Sequence, residues 1–247
     1  NRGRQDVWLA AVDGSWTRRL TAHEADDHQA RWAPDGRHLY FLSSRSGSSQ
    51  GRRIDADGGE AEPVTRLPLD VEAFAVAPTG KLLVLSMSVF PRRGPAETRA
   101  LLDEKAKPGA TGMLFDRLMV RHWDSWMEGK RNHVFVVPLT WDADGNPTQG
   151  AEPMDLMTGI DADCPTRPFG GAEDFVFAPD GKEIAYVAQL GDDRAWSTNL
   201  DVFTVPVAGG AATCVSAGNR ATDRGPAYSP DGSSLAWLAM SRPGFEA

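Results

Sequence analysis

The chain has 247 residues, 41% hydrophobic and 24% charged, enough apolar content for one large core or two small ones and too little charge excess for a disordered tail. With 26 Lys and Arg against 34 Asp and Glu, the net charge is −8, so no global basic surface is available to neutralise a phosphate backbone, and nucleic acid is not an expected partner. The longest near-apolar run, Leu82 to Phe90, contains two serines and is far shorter than the roughly 18 residues a membrane-spanning helix needs, so no membrane partner is expected.

Asn1 to Asp6 contains no apolar h-region, so no secretion signal is expected in this chain. Two short apolar stretches follow, Asp6 to Gly14 and Trp16 to Thr21, both of strand character. Then comes the first of four related units: Ala30-Arg31-Trp32-Ala33-Pro34-Asp35-Gly36, Phe74-Ala75-Val76-Ala77-Pro78-Thr79-Gly80, Phe175-Val176-Phe177-Ala178-Pro179-Asp180-Gly181 and Ala227-Tyr228-Ser229-Pro230-Asp231-Gly232. Each reads as strand, turn, strand: Pro presets φ, Asp bonds back to the backbone, and Gly accepts positive φ. The four prolines are 44, 101 and 51 residues apart, so the middle gap holds either two periods or one period with an insertion.

A third and a fourth strand follow the hairpins, at Arg52 to Gly59 and Pro63 to Leu67 in the first unit and at Asp201 to Gly210 and Ala212 to Val215 in the third. In the second unit they come late, at His133 to Leu139 and Glu152 to Leu156, which leaves residues 91–132 as an insertion. Its one convincing helix spans 95–107, opened by Pro95 and closed by Pro108-Gly109, and 115–130 reads as a Trp-rich hairpin leaving the blade. Four antiparallel strands in about 45 residues make one blade of a β-propeller.

The expected fold is therefore all-β, a single propeller domain over 1–247 with one short helical insertion. The last unit stops after two strands and the N-terminus supplies two, so strands from both ends could complete one blade and close a ring of four. A ring of five, if the insertion adds strands, and an open arc of a larger propeller are the alternatives.

Trp8, Trp32 and Trp237 fall in strands and read as inter-blade core. Cys164 and Cys214 are too few for a disulfide scaffold; they form one bridge or remain two thiols. The acidic turns Asp142-Ala143-Asp144-Gly145-Asn146, Asp161-Ala162-Asp163 and Asp192-Asp193 lack the full calcium-loop spacing and read as solvated turns, so no metal and no cofactor is expected. Gly47-Ser48-Ser49-Gln50-Gly51 matches the Gly-x-Ser-x-Gly pattern of a nucleophile elbow, yet it runs into strand-like Arg52-Arg53-Ile54-Asp55 instead of a helix. The five histidines have no acid at a recognisable spacing, so no catalytic residue is assigned.

The Pro-Asp-Gly blades resemble the TolB-type propeller repeat. Three longer strings, Phe115 to Trp126, Arg167-Pro168-Phe169-Gly170-Gly171-Ala172-Glu173-Asp174 and Ala239 to Ala247, resemble the propeller of bacterial prolyl-oligopeptidase-family (S9) serine peptidases of the acylaminoacyl-peptidase and dipeptidyl-aminopeptidase branch. The resemblance implies a parent more than twice this length, in a bacterial periplasm or cytoplasm. In such a parent the propeller filters short peptides for an α/β-hydrolase domain absent from this chain, and no peptidase activity is expected of the chain alone. The implied partners are short peptides and that hydrolase domain, with self-association also open. By resemblance, Arg121, His122, Trp123, Asp124, Trp126, Arg167, Glu173 and Asp174 are the candidate peptide or domain contacts, with an acidic residue holding an ammonium and an arginine holding a carboxylate. A TolB-like propeller that binds protein or peptide partners with no enzyme attached is the second reading, and a metal-dependent propeller lactonase is the third.

Overall fold

The computed structural model describes residues 3–107, 109, 112, 114–115, 120–122 and 124–244. Strands β1 (Trp8–Ala10) and β2 (Thr17–Arg19) form an antiparallel ribbon. The first full blade follows in order: β3 (Asp27–Trp32), β4 (His38–Ser43), β5 (Gln50–Asp55) and β6 (Gly58–Pro63). The second begins with β7 (Ala73–Val76) and β8 (Leu82–Val89), leaves the sheet through helix α1 (Pro95–Lys105) and the small hairpin β9 (Arg121–His122) and β10 (Ser125–Trp126), and returns as β11 (Arg131–Trp141). Two short strands, β12 (Pro147–Gln149) and β13 (Met154–Asp155), both pair with β11 and finish that blade. The third blade is β14 (Phe175–Phe177), β15 (Glu183–Ala188), β16 (Asp201–Pro206) and β17 (Thr213–Cys214); β18 (Asp223–Tyr228) and β19 (Leu235–Ala239) form a last ribbon.

The first hairpin of every blade is built as its sequence dictates. Gly36, Gly80, Gly181 and Gly232 have φ between 67° and 72°, and each amide donates to the carbonyl three residues earlier. The Oδ1 atoms of Asp35, Asp180 and Asp231 accept the N–H two residues on, at 2.8, 2.9 and 3.0 Å. The turns also stack from blade to blade: Gly80 faces Pro34, Gly181 faces Thr79 and Gly232 faces Pro179.

Alternation along the second strand of each blade produces the core. In β4, Leu39 and Phe41 point to the N-terminal ribbon, where Val7 and Leu9 pack, while Tyr40 and Leu42 point to the second blade. In β8 and β11, Leu83, Leu85, Phe135 and Val137 join that second cluster, and Val84, Val134 and Val136 face Phe175, Ile184, Tyr186 and Phe203 of the third blade. Each of the three full blades is thus buried on both faces, and truncating a fully buried residue such as Phe135 costs about 3–5 kcal/mol.

The blade expected from the two termini together is not formed. Among the described residues, β1–β2 and β18–β19 are separate two-stranded sheets. Each is held by its sequence neighbour: Val7, Leu9 and Leu20 pack on the first blade, and β18 lies against β14, β15 and β16. Burial against the adjacent blade decides where each ribbon sits, and the result is an open succession of three full blades flanked by two ribbons. Trp8 and Trp32 are also not core; they are 58% and 54% exposed, because they sit on the ribbon face turned away from the first blade and at the strand end beside the turn. Trp237 is half-buried and donates Nε1–H to Asp223 Oδ1 at 3.0 Å. Cys164 and Cys214 are both free thiols.

Candidate functional site

The blades have two unlike ends. One carries the Pro-Asp-Gly turns; the other carries the blade-to-blade links, the loops between second and third strands, and hence the insertion. At this second end each innermost strand starts at or just after an acidic residue: Asp27, Glu72, Asp174 and Asp223. Each has its own partner. Buried Asp27 takes Arg45 Nη2 at 2.6 Å, Glu72 lies 3.8 Å from Arg167, Asp174 accepts from Thr166, and Asp223 accepts from Asn219 and Trp237.

A cavity of about 800 Å³ opens at this end between the third blade and the β18–β19 ribbon. Its wall is formed by the link 163–174, the loop 189–200 and the ribbon. The link is held by Asp174, whose Oδ2 accepts the Thr166 amide at 2.7 Å and its hydroxyl at 2.8 Å, while Gly170 N–H donates to the Thr166 carbonyl at 2.7 Å. A side chain at Gly170 would run into Asp174 Oδ2 and the Thr166 backbone, so only glycine fits the loop in this shape. The loop therefore presents Phe169, 72% exposed, and Glu173, also exposed, on a fixed frame.

Burial is the largest influence on the Asp174 carboxyl and pushes its pKa up, against the Thr166 donors that pull it down. Glu72 is also raised, by desolvation first although part of its side chain reaches the surface, with Arg167 opposing. Arg167 itself is engaged: Nη2 donates to Asn132 Oδ1 at 2.7 Å and Nε to Asp163 Oδ1 at 3.2 Å. It ties the link of the third blade to the start of β11.

Of the residues singled out in the sequence, Arg167, Glu173 and Asp174 meet at this cavity. Asp174 is 4% exposed with Oδ2 committed to Thr166, so it shapes the loop and leaves ligand contact to Glu173. The insertion hairpin carries the others. Arg121 lies over the Trp126 ring at 5.8 Å, Phe115 stacks on the same ring at 5.4 Å, and Asp124 is exposed. Neither Arg121 nor Trp126 lines the cavity, although Met127, next in sequence, does. Trp123 lies outside the described residues, and of His122 only the backbone is described.

Arg131, Arg194 and Arg224, which also line the cavity, were not distinguishable in the sequence from surface arginines. Arg131 pairs with Asp161 at 2.7 Å, and Arg194 with the same carboxylate at 3.1 Å. The carboxylates of the acidic turn 161–163 are thus occupied by arginines, and Asp142 Oδ1 accepts the amides of Asp144 and Asn146. Among the described residues no three His, Cys, Asp or Glu side chains converge as metal ligands. Ser49 of the Gly-x-Ser-x-Gly string donates its hydroxyl to the Val71 carbonyl at 2.8 Å, and Gln50 opens strand β5, not a helix. No described helix is long and apolar enough to cross a membrane.

The fold and the blade arrangement are those of a TolB-type β-propeller. A putative TolB from Agrobacterium tumefaciens superposes with a TM-score of 0.54 at 15% identity, over 96% of this chain and 62% of that one. The sequence is 31% identical over 249 residues to dipeptidyl-peptidase 5 of Porphyromonas gingivalis and 30% identical over 248 residues to dipeptidyl-peptidase 5 of Porphyromonas endodontalis. Each match takes in 100% of this chain and 34% of the relative, so the chain spans about a third of the length of these curated proteins. No family model matches. On these relatives and this fold, the chain is a TolB-like propeller that matches about a third of dipeptidyl-peptidase 5 over its whole length, and its Gly-x-Ser-x-Gly string runs into strand β5 instead of a helix.

Proposed function

We propose that the protein of which this propeller is a part is a dipeptidyl peptidase, and that the propeller is its substrate filter and the docking surface for an α/β-hydrolase domain. The observation that carries this reading is the full-length match to one third of dipeptidyl-peptidase 5, joined to a cavity at the loop-bearing end of the blades. Rigid blades exclude folded proteins by size and admit flexible peptides. Glu173, exposed on a loop fixed by Asp174 and Gly170, takes the peptide's ammonium by charge-assisted hydrogen bonds; Arg167 holds the loop against β11. The insertion hairpin with Arg121, His122, Trp123, Asp124 and Trp126 supplies an aromatic contact for the hydrolase domain.

The test is kinetic, in the full-length protein. Glu173→Gln is expected to raise KM for peptides with a free N-terminus about tenfold while kcat stays within about twofold, and to leave N-acetylated peptides unchanged. Trp126→Ala is expected to alter KM or specificity without abolishing turnover. Loss of kcat on the smallest substrates with an intact fold would overturn the reading.

A further inference from the structure

The cavity holds a second charge that ammonium capture does not use. Arg131, Arg167 and Arg194 all have acidic partners. Arg224 differs: it lines the cavity, is exposed, and makes no ion pair among the described residues. Its placement follows from strand alternation. Asp223 is fully buried with Oδ1 accepting from Asn219 and Trp237, so the next side chain on β18 leaves by the opposite face. A bulge after Arg224, with Gly225 at φ 63°, shifts the pairing with β19 and bends the strand there.

The short 3-10 turn Ala172–Asp174, which bears Glu173, packs directly on β18. Glu173 is likewise exposed and makes no ion pair among the described residues. Two opposite charges without ion pairs among the described residues thus line one cavity from adjoining elements, Arg224 also lying close enough to the Asp174 carboxyl to pull its pKa down. Phe169, Leu200, Leu238 and Met240 line the same cavity. Leu238 is 69% exposed and lies opposite Arg224 in the β18–β19 register.

We propose that this cavity recognises short peptides with both ends free, di- or tripeptides, with Glu173 receiving the ammonium, Arg224 the carboxylate, and the apolar wall the side chains. Peptides of this length span about 7–11 Å when extended, and a cavity of this size holds them. Long polypeptides present no carboxylate within that reach of their N-terminus, so Arg224 selects for length as well as charge. The inference rests on the peptide-terminus reading above and adds a residue and a ligand class to it.

Isothermal titration of the full-length protein, its hydrolytic activity blocked with a fluorophosphonate, with the dipeptide Ala-Phe, its C-terminal amide and its N-acetyl form tests it. The free dipeptide is expected to bind, and either blocked form to bind about tenfold more weakly or worse. Arg224→Gln is expected to remove the preference for acid over amide and Arg224→Lys to retain part of it, with circular dichroism unchanged because the side chain is exposed. Equal binding of acid and amide, unaltered in R224Q, would overturn the role of Arg224 while ammonium capture stood, provided that N-acetylation and E173Q still weakened binding. Absence of binding by every form to the folded protein would overturn both.

Discussion

Single side chains at the start of the innermost strands carry much of the local order. Asp27 is fully buried against Arg45, so Asp27→Asn strands a cation in the interior and is expected to cost about 3–5 kcal/mol in urea unfolding. Asp174 acts through its loop. Its folded pKa lies above the ordinary 3.8, so the neutral acid is the form the fold favours; the stabilisation is full below 3.8 and is lost as pH rises through the folded value. The stability of the wild type minus that of Asp174→Asn is therefore expected to fall as pH rises from 3.8, which unfolding at a series of pH values measures. Gly170→Ala is expected to displace the 166–174 loop and weaken peptide binding, with faster amide exchange confined to that loop. At this scale the sequence was only partly legible. Arg167, Glu173 and Asp174 lay in a string with a family resemblance, but the division of labour among them depends on burial, and Arg224 has no local signal at all.

Elements were far more legible, because their determinants are local. The three Pro-Asp-Gly turns and the Pro78-Thr79-Gly80 turn specify positive φ and side-chain-to-backbone bonds within four residues, and all four form as read. Strand edges drifted: the fourth strand of the first blade, expected at 63–67, lies at Gly58–Pro63, because the tight turn at Gly58 and Gly59 brings the chain back sooner. The helix read at 95–107 spans Pro95–Lys105, with Glu97 accepting the Gly94 amide. Only Thr98 of α1 is buried, while β8 and β11 pair continuously from Val89 with Arg131 to Leu82 with Pro138. Leu102, half-buried against the second core cluster, ties the helix to the blade, and Leu102→Ala is expected to lower the thermal midpoint by about 2–4 °C, the shift that about 1 kcal/mol makes in a domain of this size.

Across the whole molecule, three sheets stack through apolar interfaces made by alternate faces of the same strands, and the cavity lies where the third sheet and the last ribbon meet. That meeting was illegible in the sequence: it depends on where each ribbon finds apolar cover, a tertiary choice that also decided against a shared terminal blade. A fluorophosphonate probe is expected to leave Ser49 unlabelled, since its hydroxyl is spent on Val71 and a strand follows it; mass spectrometry of the treated chain checks this. Finally, among the described residues β19 offers a row of amides and carbonyls along the side that β18 does not cover, and Trp8 is exposed on the ribbon at the other extremity. Such rims accept foreign strands readily. How well the isolated polypeptide stays in solution will therefore be governed less by its surface charge than by whatever lies along these two borders.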